Sequence, residues 1–181
     1  MSRAAAEFQP LQIAVLTVSD RRTLAEDSAG QALSDALTAA GHQLAERLIS
    51  PDNRYQLRAL ISRWIASDEV QVVLVNGGTG FGPGNQVPEA VRVLFDREID
   101  GFGELFRQLS YQEIGGSALQ SRALAGLANG TLICCLPGSP GACMTGWDAI
   151  IRDQLDARQR PCNMVPHLKK LNGEGACPSR S

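Results

Sequence analysis

Hydrophobic and polar positions alternate between two periods along this chain, and the changes of period mark its elements. Leu11 to Val18, LQIAVLTV, is short, rich in β-branched residues and apolar at successive positions. That predicts a strand buried on both faces. The polar run Ser19-Asp20-Arg21-Arg22 ends it. Ser28 is placed to cap a helix running through Gln31–Leu37 to Ala40, with Gly41 as its stop. Gln43 to Ile49 predicts a second strand, closed by Ser50-Pro51-Asp52-Asn53. Asp52 or Asn53 caps a helix from Arg54 to Ala66, where Leu57, Leu60, Ile61 and Trp64 recur at helical spacing. Val70 to Val75 predicts a third strand. Strands and helices alternating in this way argue for a parallel sheet with right-handed crossovers.

Beyond the glycine-rich stretch at 77–87, Pro88 suits the first turn of a helix, and residues 101–113 predict another. Two apolar runs, Ala123–Ala128 and Thr131–Leu136, flank Asn129-Gly130, a pair able to adopt positive φ, which signals a β-hairpin. Pro137–Gly141 then leads into a helix from about Ala142 to Leu155. The fold class expected is α/β: one domain with a mostly parallel, mixed sheet, helices on both faces and a β-hairpin in the C-terminal part. Residues 1–10 form an N-terminal extension, 11–171 the domain, and 172–181, rich in Gly, Pro and Ser, a disordered tail.

Composition narrows the function classes. A chain of 181 residues with 44% hydrophobic and 20% charged residues suits a soluble globular domain. A net charge of −2 gives no footprint for nucleic acid. No apolar run approaches the roughly 20 residues of a membrane span, and residues 1–8 lack a signal-peptide core, so a cytoplasmic location is expected. The five cysteines contain no C-x-x-C pair. Cys134 and Cys135 are adjacent on a predicted strand, so their thiols should face opposite sides and serve as reduced structural residues. His42 and His167 have no partners at metal-ligand spacing and are expected at the surface.

Candidate chemistry lies in the loops. Ligands of open α/β sheets bind outside the carboxyl ends of the strands. Residues 19–30, 50–53, 77–87 and 137–141 should gather there, bringing Ser19, Asp20, Asp52, Thr79, Asn85 and Ser139 towards one cleft. Gly77-Gly78-Thr79-Gly80 offers unencumbered N–H donors to an anion. It has neither the Gly-Lys-Ser/Thr ending of a P-loop nor the G-x-G-x-x-G spacing of a dinucleotide site. Pro137-Gly138-Ser139 is either a second phosphate contact or a rigid turn opening a helix. Asp20 and Asp52 are either functional carboxylates or helix-entry residues.

Together the stretches AVLTVSDRR, GGTGFGPGNQVPEA, FDREIDGFGELFR, QSRA, LPGSP and RPCNMVPHLKK, in order over roughly residues 8–170, resemble the MogA/MoaB family of molybdenum cofactor biosynthesis proteins, MoaB most nearly. The resemblance implies homotrimers or homohexamers and the adenylylation of molybdopterin by ATP and Mg²⁺. Other proteins of the pathway are implied as partners. Gly77, Gly78, Thr79 and Gly80 would then hold nucleotide phosphate. Ser19, Asp20 and Arg21, with Pro137, Gly138 and Ser139, would complete the cleft. Asp52 matches a catalytic aspartate, and Asp52 with Asp20 would hold the metal. The family's second catalytic aspartate falls at Asn85, which keeps the shape without the charge. The alternatives are a binding or accessory protein without turnover, or a structural oligomer without a pterin ligand.

Overall fold

A computed structural model describes residues 6–171. Six strands form one sheet in the order β2-β1-β3-β6-β5-β4. They are β1 (Gln12–Val18), β2 (Gln43–Ser50), β3 (Val72–Asn76), β4 (Arg97–Glu98), β5 (Leu124–Ala128) and β6 (Thr131–Leu136). β1 pairs in parallel with β2 and β3, and β3 in parallel with β6. β5 runs antiparallel to β6 and to the short edge strand β4. The single-domain mixed α/β sheet expected from the sequence is thus present.

Successive residues of the central strands serve opposite faces, because the side-chain period of a strand is two. Ile13, Val15, Val72, Leu74, Leu132 and Cys134 pack on one face, under α1 (Ser28–Ala39), α4 (Asp100–Ile114) and the helical segment that begins with α5 (Pro140–Gly146). Ala14, Leu16, Val73, Val75, Ile133 and Cys135 pack on the other, under α2 (Arg54–Ala66) and α3 (Val87–Val91). Each buried branched or aromatic side chain contributes about 1.5–3 kcal/mol, so these two layers hold the sheet between helices. Cys134 and Cys135 point to opposite faces, as their adjacency predicts. Burial pushes the Cys134 thiol up to about 12, and the Cys135 thiol is also raised, by burial first, so both stay protonated at neutral pH.

Four local expectations are corrected. The cap of α1 is Asp27, not Ser28: its carboxylate accepts the Gly30 N–H at 2.9 Å. Asp27 is buried (1% exposed), and its Oδ2 also accepts from Thr17 Oγ1 at 2.7 Å and from Arg47 Nη2 at 3.0 Å. A hydroxyl at position 28 would carry no charge to pair with the guanidinium. The third strand starts at Val72; ahead of it the Val70 carbonyl accepts from the Thr131 hydroxyl, and Gln71 bonds to Gln12 and Leu132 through its backbone. The last long helix starts at Pro140 with Ser139 as its cap, and a π-helical turn over Trp147–Ile151 separates α5 from α6 (Arg152–Gln154). His42 is not a surface residue. It is 4% exposed, beside Trp147 and Phe8, and its Nδ1 accepts the Leu11 N–H at 3.2 Å.

Asn53 caps α2 through bonds from the Tyr55 and Gln56 N–H groups, and Asn129 and Gly130 adopt φ of 47° and 70° in the two-residue hairpin turn. Lys169 Nζ donates to the carbonyls of Trp64, Ile65 and Ser67, closing the end of α2. No helix among the described residues is long and apolar enough to cross a membrane. Cys177 and the tail expected at 172–181 lie outside the described residues.

Candidate functional site

β1, β2, β3 and β6 are mutually parallel, so their carboxyl ends open on one side of the sheet. The loops that follow are fastened to each other by backbone bonds. Ser19 N donates to Ser50 O at 3.0 Å, joining the ends of β1 and β2, and Gly77 N donates to Leu136 O at 3.0 Å, joining those of β3 and β6. Gly77 and Gly78 have φ of 92° and 64°. A Cβ on Gly77 would stand 2.4 Å from Val18 O, and one on Gly78 2.6 Å from Val87 Cγ2. Left-handed backbone and this proximity both demand glycine. Gly138 packs less tightly, its Cβ position 3.1 Å from the Gly77 Cα.

The result is a cleft of about 740 Å³ lined by Ser19, Arg21, the loop Gly77–Gly80, Asn85 and Pro137-Gly138-Ser139, among others. Ser19 Oγ accepts the N–H groups of Arg21 and Arg22, shaping the first loop. The Arg22 guanidinium donates to Gly138 O at 3.2 Å and ties that loop to the fourth. Arg21 remains exposed at the mouth. Thr79 is buried, 4% exposed, in the floor. Ser139 Oγ accepts the Ala142 N–H, so the turn reading of this serine holds alongside its place in the wall.

Asp20 and Asp52 are brought together but do not line the cleft; they stand at the flank of the glycine loop. Asp52 Oδ1 accepts the Gln86 N–H at 2.9 Å, and the space beside Gly78 is bounded by Asp52 Oδ2. Burial holds the Asp52 carboxyl above the usual carboxylate range; the Gln86 N–H opposes this, while the charges of Asp20 and Glu89 add to it. Among the described residues no three His, Cys, Asp or Glu side chains gather as a metal-binding group. The pair offers hard oxygen donors of the type Mg²⁺ prefers. Asn85 has a loop-forming role. Its N–H and its Nδ2 both donate to Gly82 O, at 2.9 and 3.3 Å, and a carboxylate could not make the second bond.

Two contributors escaped the sequence reading. The 3₁₀ segment Gly115–Gln120 and Ser121 form a further wall, with Ile114, Ser117 and Gln120 facing the glycine loop. Arg122 lies beneath that wall and contacts the loop backbone at Gly80 and Asn85. Burial alone would raise the Glu89 carboxyl, but the hydrogen bond and charge of Arg122, with a backbone N–H and the charge of Arg54, together hold it below its ordinary value. Arg122 carries no periodic or spacing signal; only its place in the QSRA stretch marked it.

Comparison with known proteins agrees with this architecture. Residues 14–157 match the family described as "Probable molybdopterin binding domain". The chain is 58% identical over 170 residues to molybdenum cofactor biosynthesis protein B of Escherichia coli K12, covering 94% of this chain and 100% of that protein. It is 39% identical over 142 residues to the protein of the same name from Bacillus cereus, covering 78% and 84%. A crystal structure of molybdenum cofactor biosynthesis protein B superposes with a TM-score of 0.79 at 38% identity, covering 81% of this chain and 92% of that one. The tungsten cofactor synthesizing protein MoaB from Pyrococcus furiosus superposes at 0.69 with 32% identity, covering 78% and 91%. A family match over most of the chain, with a like-named relative aligned along its whole length, shows that this chain belongs to the MoaB/MogA family and that its role lies in molybdenum cofactor biosynthesis.

Proposed function

We propose that the cleft binds molybdopterin and ATP and that the protein adenylylates molybdopterin with Mg²⁺. The observation that carries this reading is the glycine loop, rigidly docked between the ends of β1, β3 and β6, with two carboxylates at its flank. Gly77, Gly78, Thr79 and Gly80 would receive phosphate, with Ser19, Asp20, Arg21, Pro137, Gly138 and Ser139 completing the site. A phosphate oxygen of molybdopterin would attack the α-phosphorus of ATP. The bond to the β-phosphate would break, and pyrophosphate would leave. Asp52 and Asp20 would hold Mg²⁺, whose chemistry is to offset the charge gathering on that leaving group. The cytoplasm is the expected setting, with homotrimers or homohexamers as the working assembly and other proteins of the pathway supplying and taking the pterin.

One observation favours a second reading. Asn85, at the position of the family's second catalytic aspartate, spends its side-chain amide on Gly82 and supplies no charge. A site so built could hold pterin or nucleotide without turning it over. The test is formation of adenylylated molybdopterin from molybdopterin, ATP and Mg²⁺ by the unmodified protein and by Asn85→Asp. Product from the unmodified protein supports the enzyme. Product from the variant alone supports the binding protein. Binding of neither ligand in calorimetry refutes both and leaves a structural oligomer.

A further inference from the structure

An arginine beside an anion-binding loop is ordinarily read as a ligand contact. Arg122 has spent its donors elsewhere. Its Nε and Nη2 both donate to the Gly80 carbonyl, at 3.0 and 2.6 Å, and Nη2 also donates to the Asn85 carbonyl at 2.8 Å. Nη1 donates to Glu89 Oε1. The guanidinium carbon lies 5.1 Å from the centre of the Phe81 ring, which is itself 70% exposed. One planar group therefore grips both ends of residues 80–85. Within that segment the bonds are local: Asn85 to Gly82, and Gln86 Nε2 to Pro83 O. Glu89 is fixed from behind, since Arg58 donates to the carbonyls of Glu89 and Ala90. Glu89 Oε2 is buried with no hydrogen-bond partner among the described residues, so the side-chain bond to this carboxylate comes from Arg122, while Arg54 acts on it through charge.

A loop with this much glycine has many conformations to lose, and a ligand that must order it binds more weakly than one that finds it ordered. We propose that Arg122 is a positioning residue. With Glu89 as its counter-ion it sets the glycine loop in the conformation that presents N–H groups to phosphate, and it does not touch the ligand. This rests on the phosphate-cradle reading of the loop. Lysine should not replace it, because three separate nitrogens of a planar fork meet these acceptors, a spread that one ammonium nitrogen does not cover.

The experiment compares unmodified protein with Arg122→Lys, Arg122→Gln and Glu89→Gln. Amide hydrogen exchange is followed without ligand, and binding of ATP with Mg²⁺ is measured by calorimetry. Amides between Thr79 and Gln86 are expected to exchange about tenfold faster or more in both Arg122 variants, with ATP affinity falling by a similar factor. Glu89→Gln keeps an acceptor but loses the charge, so it should give a smaller change in the same direction. In a fourth variant, Arg122→Ala, added methylguanidinium should restore part of the protection and of the affinity, a rescue that a merely structural loss would not allow. Weaker ATP binding with an unchanged loop would make Arg122 a ligand contact and overturn the proposal, as would no change in either quantity. If Arg122 variants do not fold, Glu89→Gln decides alone, and normal loop exchange in it overturns the pairing. Exchange is read on the free protein, so failure to bind ATP at all would sink the cradle and still leave the clamp measured.

Discussion

Asp20 Oδ1 accepts the backbone N–H of Asp52 at 3.0 Å, so one carboxylate at the end of β1 places the other at the end of β2. Asp52 repeats the arrangement towards the glycine loop, accepting the Gln86 N–H. Each carboxylate thus spends one oxygen on the backbone, which an amide oxygen could also do.

Asp52→Asn should therefore keep the fold while suppressing turnover, by on the order of a hundredfold if Asp52 acts on charge developing in the transition state. The pH dependence has a definite sign. The folded state raises the Asp52 carboxyl above its ordinary 3.8, by burial first. Its ionisation thus lowers stability as pH rises through that folded value. At neutral pH the asparagine variant should melt no lower than the unmodified protein. A clear fall in melting temperature with normal turnover would make Asp52 a structural residue only.

Gly78→Ala tests the cradle with a single methyl group. At φ of 64° the new Cβ would stand 2.6 Å from Val87 and 2.9 Å from Asp52 Oδ2. Left-handed backbone costs a non-glycine residue about 1–2 kcal/mol before that clash is counted. The chain should fold with reduced stability and lose nucleotide binding in calorimetry. Unchanged affinity would show that the loop conformation does not matter to the ligand.

Asp27 is the residue on which α1, β1 and β2 converge. Asp27→Ala would leave the Arg47 guanidinium, 15% exposed, without its carboxylate, along with the Thr17 hydroxyl and the Gly30 N–H. Breaking one side of a buried pair costs about 3–5 kcal/mol. Denaturant unfolding should show a loss of that size; a loss near zero would mean that solvent already shields Arg47.

His42 gives the stability curve an acid limb. Burial pushes the imidazole below its ordinary 6.5, with the Asp156 charge acting weakly the other way. Protonation is thus disfavoured in the folded state. Stability is full above 6.5 and declines as pH falls through 6.5 towards the lowered folded value. Nδ1 accepts the Leu11 N–H, a bond that imidazolium cannot make. His42→Asn, which keeps an acceptor, should flatten the melting profile below pH 6.5. An unchanged slope would place the acid sensitivity elsewhere.

β1, β3 and β6 were legible because they are apolar on both faces, and the ends of parallel strands must gather their loops. The wall formed by Ser117, Gln120 and Ser121 was not, although its cause was at hand. β5 runs against β6, so its entry, not its exit, lies at the carboxyl edge of the parallel strands. β4 spans two residues, Arg97 and Glu98, too few to leave a period. His42, alone beside Gly41, read as a turn; the aromatic ring of Phe8 that covers it comes from the segment ahead of the first strand. Arg122 was missed because its partners, Gly80, Asn85 and Glu89, lie far off in sequence, where local pattern carries no trace of them. Asp27 caps Gly30 three residues on, but Ser28 beside it offers the same local signal, and the contacts to Thr17 and Arg47 that single Asp27 out leave no pattern.

Lys169 has one more consequence. Its Nζ closes the end of α2, its N–H donates to Gly130 O at 2.8 Å in the hairpin turn, and its carbonyl accepts from Gln71 at 2.9 Å. A single residue near the end of the described chain thus latches a helix, a turn and the approach to β3. Truncation before Lys169 should make the protein prone to fraying and protease attack at positions remote in sequence. A purification tag fused beyond residue 171 would leave the latch shut.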